Sequence, residues 1–127
     1  MPKQTINPPA LSEPAGYSHV VKAGNTLYIA GQIARNAKGE VIGTGDARAQ
    51  AKQVFANLEV AVKAGGGSKE DIVSITTYLV SREHIPAYRE ARVAFFGENP
   101  PTSTLLIISG LAMPELLIEV SAIAVLG

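Results

Sequence analysis

The 127-residue sequence contains no cysteine. That absence excludes disulfides, thiolate nucleophiles and sulfur-ligated metals together, and it fits a reducing compartment. An excess of charge of one sign is also missing, since 11 Lys and Arg stand against 11 Asp and Glu. With no net field to draw in a phosphate backbone or an anionic membrane surface, nucleic acid is not an expected partner. Only two histidines are present, in no His-x-x-x-His pair and beside no carboxylate cluster, so a metal site has little support. No apolar run reaches the roughly 18 to 20 residues of a membrane span, and the start of the chain has no apolar signal core. The expectation is a soluble, cytoplasmic protein of one domain spanning residues 1–127.

What is present is apolar. Hydrophobic residues make up 46% of the chain and charged ones 17%, so part of the surface is expected to meet another subunit. Residues 1–16 hold Pro2, Pro8, Pro9 and Pro14 without periodicity and predict an irregular arm. Tyr17 to Lys22 and Thr26 to Ala30, joined through Gly24 and Asn25, predict a β-hairpin. Glu40 to Gly43 fits a short strand or a loop equally well. From Asp46, a candidate N-cap, apolar residues at 47, 51, 54, 58 and 61 predict a helix that stops at Gly65-Gly66-Gly67. Asp71 to Val80 alternates as a strand, with Val73, Ile75 and Leu79 on one side and Ser74, Thr76 and Tyr78 on the other. Ile85, Tyr88, Ala91 or Arg92, and Phe95 mark a second helix, closed by Gly97 and the prolines at 100 and 101.

Two β-branched runs end the chain and organise it. In the second, alternation puts Leu116, Ile118, Val120, Ala122 and Ala124 on one face and Leu117, Glu119, Ser121, Ile123 and Val125 on the other. The order β-β-(β)-α-β-α-β-β predicts an α+β fold: one mixed sheet of about six strands, with parallel crossovers that lay both helices on one face. The other face is too apolar for water, and a subunit interface is its expected cover. Glu119 is then a lone carboxylate among aliphatic neighbours, a group that must be hydrogen-bonded, protonated or at work.

Other constellations carry less. Gly65 to Lys69 has the composition of a phosphate loop but follows a helix, the reverse of the order that aims helix amides at phosphate. Ser103 and Ser109 stand in no nucleophile elbow. The four tyrosines read as core or pocket residues rather than RNA-stacking platforms, because no basic stripe accompanies them. His19 shares a face with Tyr17 and reads as a polar residue at a sheet or interface surface in preference to a proton relay. His84 reads as a capping or surface residue.

The run Ile118-Glu119-Val120-Ser121-Ala122-Ile123-Ala124-Val125, with its Pro-rich approach at 100 and 101, resembles the C-terminal signature of the RidA/YjgF family. Gly16 to Val21, Ala30-Gly31-Gln32, Gln50 to Asn57 and Ala94-Phe95-Phe96 echo the same family in the same order. The resemblance implies a chorismate mutase-like fold and a homotrimer with ligand clefts between subunits. It also implies hydrolysis of a small enamine or imine metabolite to a keto acid and ammonia, with no metal or cofactor. In that scheme Glu119 positions the attacking water, Tyr17 lines the pocket, and main-chain groups at Gly31 and Leu105 hold polar ends of the substrate. The family's Pro-Ala-Arg-Ser motif falls on Pro101-Thr102-Ser103-Thr104, so Ser103 stands where an Arg would pair with a substrate carboxylate. The segment from Leu111 to Glu119 is one residue longer than in Arg-bearing members. A serine offers one hydroxyl and no charge, which points to a substrate other than a simple 2-imino acid, or to a metabolite-binding protein without turnover. Ribonuclease or translation-inhibitor activity, described for some relatives, is a distant third reading.

Overall fold

A computed structural model describes residues 2–127, and Met1 lies outside the described residues. Six strands form one sheet: β1 (Gln4–Ile6), β2 (Val20–Ala23), β3 (Thr26–Gln32), β4 (Ile72–Leu79), β5 (Thr102–Ile107) and β6 (Ile118–Val125). Two helices, α1 (Ala47–Ala64) and α2 (Ile85–Phe96), interrupt them in sequence. The spatial order is β1-β2-β3-β6-β4-β5. β3 and β4 each run antiparallel to β6, so they are parallel to one another with the last strand inserted between them. The crossover through α1 skips one sheet position and leaves the slot that β6 fills. β4 and β5 are parallel neighbours, joined through α2.

The helices form where sequence chemistry places them. The Asp46 side chain accepts from the Ala49 amide at 3.0 Å, and the Gly65 amide closes the last turn on the Ala61 carbonyl at 3.2 Å. Gly97 ends α2 at φ 67°, a conformation that costs glycine nothing. α1 buries Ala51, Val54, Phe55, Leu58, Ala61 and Val62 against β3 and β6, while Phe55 meets Tyr88, Phe95 and Phe96 of α2. Both helices therefore lie on one face of the sheet, over Leu27, Ile29, Ile75, Leu79, Ile118, Val120 and Ala124. Each fully buried aliphatic side chain there contributes about 1.5 to 3 kcal/mol relative to exposure.

Two expectations need correction, and one open alternative is decided. The N-terminal arm is not wholly irregular: Gln4 to Ile6 pair antiparallel with Lys22 to Val20 as the edge strand β1. Three residues are too few to show a period, and Pro8 and Pro9 stop the strand. Glu40 to Gly43 contributes no strand, only an isolated bridge between Arg35 and Val41. In β4 the register slips between Ile72 and Ser74, so Ile72 turns inward and Val73 is 46% exposed. A bulge adds one residue to the alternation and reverses the facing of what precedes it.

Candidate functional site

The uncovered face of the sheet carries Tyr28, Ile123 and Val125 at its exposed surface, with Glu119 and Ser121 on the same side of β6. Tyr78 of β4 stands directly opposite Glu119, and Leu106 of β5 lies opposite Tyr78. Glu119 is half-buried, and burial alone pushes its carboxyl above the usual carboxylate range, with no neighbouring charge acting on it.

Gly31 makes room for that carboxylate. Between Ile29 and Gln32 the β3 chain carries one residue more than β6 does between Ala122 and Val120, a bulge that falls on Ala30 and Gly31. A Cβ built on Gly31 would lie only 2.8 Å from Glu119 Cγ and would overlap its carboxylate. The side chain thus rests on bare main chain, where a larger residue would exclude it.

Two buried amides on α1 hold the segments flanking this pair. Gln50 Nε2 donates to the carbonyls of Gly43 at 3.1 Å and Glu115 at 2.8 Å, and its Oε1 accepts from the Leu117 amide at 2.9 Å. Asn57 Nδ2 donates to the carbonyls of Ile33 at 2.9 Å and Arg35 at 3.0 Å, and its Oδ1 accepts from Gln53 at 2.9 Å. The first clamp sets the entry to β6 two residues before Glu119, and the second sets the exit from β3 two residues after Gly31. Both amides lie within the Gln50 to Asn57 stretch, yet composition alone gave no sign of what they grip.

Of the residues expected to act together, Gly31 and Glu119 meet. Tyr17 does not join them in this chain. It is 49% exposed and lines a depression of about 530 Å³ built from the N-terminal arm, including Asn7, Leu11 and Pro14. Ser103 pairs with Ile75 and shares a pocket with Arg92 and Phe96 of α2, on the helix face of the sheet. Leu105 half-buries its side chain against the core and pairs with Thr77 of β4. The side chains of β5 that share the face of Glu119 are Thr102, Thr104 and Leu106, paired with Ser74, Thr76 and Tyr78.

His19 departs from its expected surface position, since it is only 4% exposed. Its Nε2 lies 2.6 Å from the Ser12 carbonyl, which can only accept, and its Nδ1 lies 3.2 Å from Gln32 Nε2. Both ring nitrogens are engaged in pinning the arm to the hairpin, with the Tyr17 ring edge-on at 5.5 Å. His84 precedes α2 as its N-cap residue without a side-chain bond. Among the described residues no group of three or more His, Asp or Glu is gathered for a metal ion, and no helix is long and apolar enough to cross a membrane.

Fold and site together define a class: an α+β protein whose two helices cover one face of a six-stranded mixed sheet, while the other carries a carboxylate seated on a glycine bulge. Comparison with known proteins then narrows it. The chain belongs to the RidA/YjgF family, its residues 8–126 matching the family described as endoribonuclease L-PSP. It is 36% identical to a RutC family protein of Pyrococcus horikoshii, over 96% of this chain and 97% of that one. It is 32% identical to the 2-iminobutanoate/2-iminopropanoate deaminase of Dermatophagoides farinae, over 87% of each chain. The crystal structure of RidA from an Antarctic Psychrobacter superposes with a TM-score of 0.90 at 30% identity, covering 97% of this chain and 99% of that one.

Proposed function

We propose that this protein is a RidA-family hydrolase acting on a small enamine, imine or related C=N metabolite, in the cytoplasm and as a homotrimer. The observation that carries the reading is Glu119, half-buried, raised in pKa by desolvation and seated on Gly31 at the apolar sheet face. Such a carboxylate suits general-base work near neutral pH. Glu119 takes a proton from water as the oxygen adds to the C=N carbon. It passes that proton to the nitrogen, giving a carbinolamine, and then takes the carbinolamine hydroxyl proton and delivers it to the nitrogen as the C–N bond breaks, so that imine and water become carbonyl compound and ammonia. The deaminase name borne by the Dermatophagoides farinae relative supports the reaction class. A cleft shared between subunits accounts for Tyr17 standing apart from Glu119 within one chain.

Substrate choice follows from β5. The side chains flanking Glu119 there are two hydroxyls and a leucine, with no cation among them. Lacking a desolvated guanidinium–carboxylate pair costs roughly 2 to 5 kcal/mol of affinity for a carboxylate, which disfavours simple 2-imino acids. The same observation favours a second reading, a trimeric metabolite-binding protein without turnover. The deciding assay measures ammonia release from freshly generated 2-aminoacrylate, longer imino acids and uncharged cyclic enamines. Turnover of at least one uncharged substrate, falling about a hundredfold or more in Glu119→Gln, is the expected result. Binding without ammonia release would replace the hydrolase with the second reading.

A further inference from the structure

We infer that the groove between α1 and α2, on the outer surface of the helical layer, is a binding site for a small aromatic anion. The groove measures about 590 Å³, within the size of ordinary small-ligand sites, and lies on the helix side of the sheet, away from the face of Glu119. Its floor is hydrocarbon: Phe55 and Ala56 of α1, and Ala91, Ala94 and Phe95 of α2. The three alanines stop at Cβ, which leaves open a trough that longer side chains would fill. The aromatic part of the floor is held in place from behind. The Phe55 ring lies 5.1 Å from that of Phe95 and 6.0 Å from that of Tyr88, with Phe96 edge-on at 5.8 Å. A ring laid in the groove therefore meets a surface that needs no rearrangement.

The rim decides the charge of the occupant. Arg48, Lys52, Lys69, Glu59 and Glu90 line it. Both acids are already paired, Glu90 with Arg48 across the two helices at 2.6 Å and Glu59 with Lys63 at 3.8 Å. The Arg48 bond and charge hold the Glu90 carboxyl below the usual carboxylate range, and the charge of Lys52 adds a smaller contribution, so Lys52 stands near this pair without closing one. Lys52 and Lys69 are left without an ion-pair partner among the described residues. Lys69, just before β4, is half-buried, and its ammonium lies 5.0 Å from the centre of the Phe95 ring. Resting on that ring positions the charge at the edge of the aromatic floor without using its N–H donors. Two free ammonium groups around a hydrocarbon trough complement an anion carried on a flat apolar body. A bare inorganic anion would use the lysines and not the floor, and a neutral ring the floor and not the lysines.

Naphthalene-2-sulfonate is the probe, with two fused rings and one permanent negative charge. Titrated into the full chain and followed by amide chemical shifts, it is expected to bind at about millimolar concentration or tighter, the range a ligand of this size reaches at ordinary efficiency. The shifts should centre on Phe55, Ala94 and Lys69. Inorganic sulfate, which lacks the rings, and 2-naphthol, which lacks the charge, should each bind about tenfold more weakly or worse. The double variant Lys52→Gln, Lys69→Gln should weaken the probe about tenfold, and added salt should weaken binding to the wild type far more than to the variant. Ala94→Leu fills the trough from an exposed helix position that leucine suits, and should abolish binding while the circular dichroism stays that of the wild type. Glu119→Gln should bind the probe as wild type does, so this site stands or falls independently of the proposed hydrolase. No binding at millimolar probe, wild-type affinity in the double lysine variant or in Ala94→Leu, sulfate or 2-naphthol binding as tightly as the probe, or shifts centred on Glu119 would each overturn the assignment.

Discussion

Glu119 carries a stability signature that can be read apart from catalysis. Its folded-state pKa lies above the unfolded value, because burial penalises the charged form. Above the folded pKa the carboxylate is ionised in both states and destabilises the fold; as pH falls through the folded pKa the native state takes up the proton first and the penalty is relieved. Glu119→Gln should therefore raise Tm at pH 7, and the gain should vanish below about pH 4, where both states are protonated. A thermal melt series across pH checks this. Gly31→Ala tests the seat itself. An added methyl meets the Glu119 carboxylate, so the variant should lose roughly 1 to 3 kcal/mol and most activity. The same change made in a Glu119→Ala background should cost far less, a coupling that a double-mutant cycle by urea melts would expose.

At the scale of elements, α1 acts as a clamp as well as a wall. Gln50 is fully buried, and its loss leaves the Leu117 amide and two carbonyls without their partner. Gln50→Ala should destabilise on the order of 2 kcal/mol or more, and hydrogen exchange should show the Leu117 amide losing protection. β5 gives a sharper contrast. Parallel pairing with β4 turns Thr104 toward the face of Glu119 and Ser103 toward α2. Ser103→Arg and Thr104→Arg would set a guanidinium on opposite faces of the sheet, so a lower KM for imino acids in the ammonia-release assay is expected for Ser103→Arg, the family's position, and a gain in Thr104→Arg alone would put the substrate carboxylate on the face of Glu119. The family motif falls with its Arg on Ser103, and the strand register shows which face of the sheet each position meets within one chain.

For the molecule as a whole, the uncovered sheet face has the chemistry of an interface. Tyr28, Ile123 and Val125 are 51%, 37% and 39% exposed in one chain, around a cavity of about 230 Å³ lined by Tyr28, Ser74, Thr76, Ser121 and Ile123. If the proposed homotrimer buries this face, Ile123→Arg should reduce the mass seen by light scattering to that of the monomer. The circular dichroism of the fold should remain, because Ile123 is not part of the core. An unchanged mass would place the subunit contact elsewhere.

The one-dimensional pattern determined the elements of this protein: the caps at Asp46 and Gly65, the 3.6-residue period of α1, and the alternation that set Glu119 apart from Val120 on β6. Those features depend on neighbours within a turn or a strand, so they are written locally. The tertiary structure alone decided what depends on pairing between distant segments. Inserting β6 between β3 and β4 set Glu119 against Gly31 and Tyr78. The bulges in β3 and β4 shifted which side chains face the site, and the parallel register of β5 sent Ser103 toward Arg92. A single inserted residue reverses the facing of one part of a strand relative to the rest, and local alternation holds no record of where its partner strand absorbs that residue.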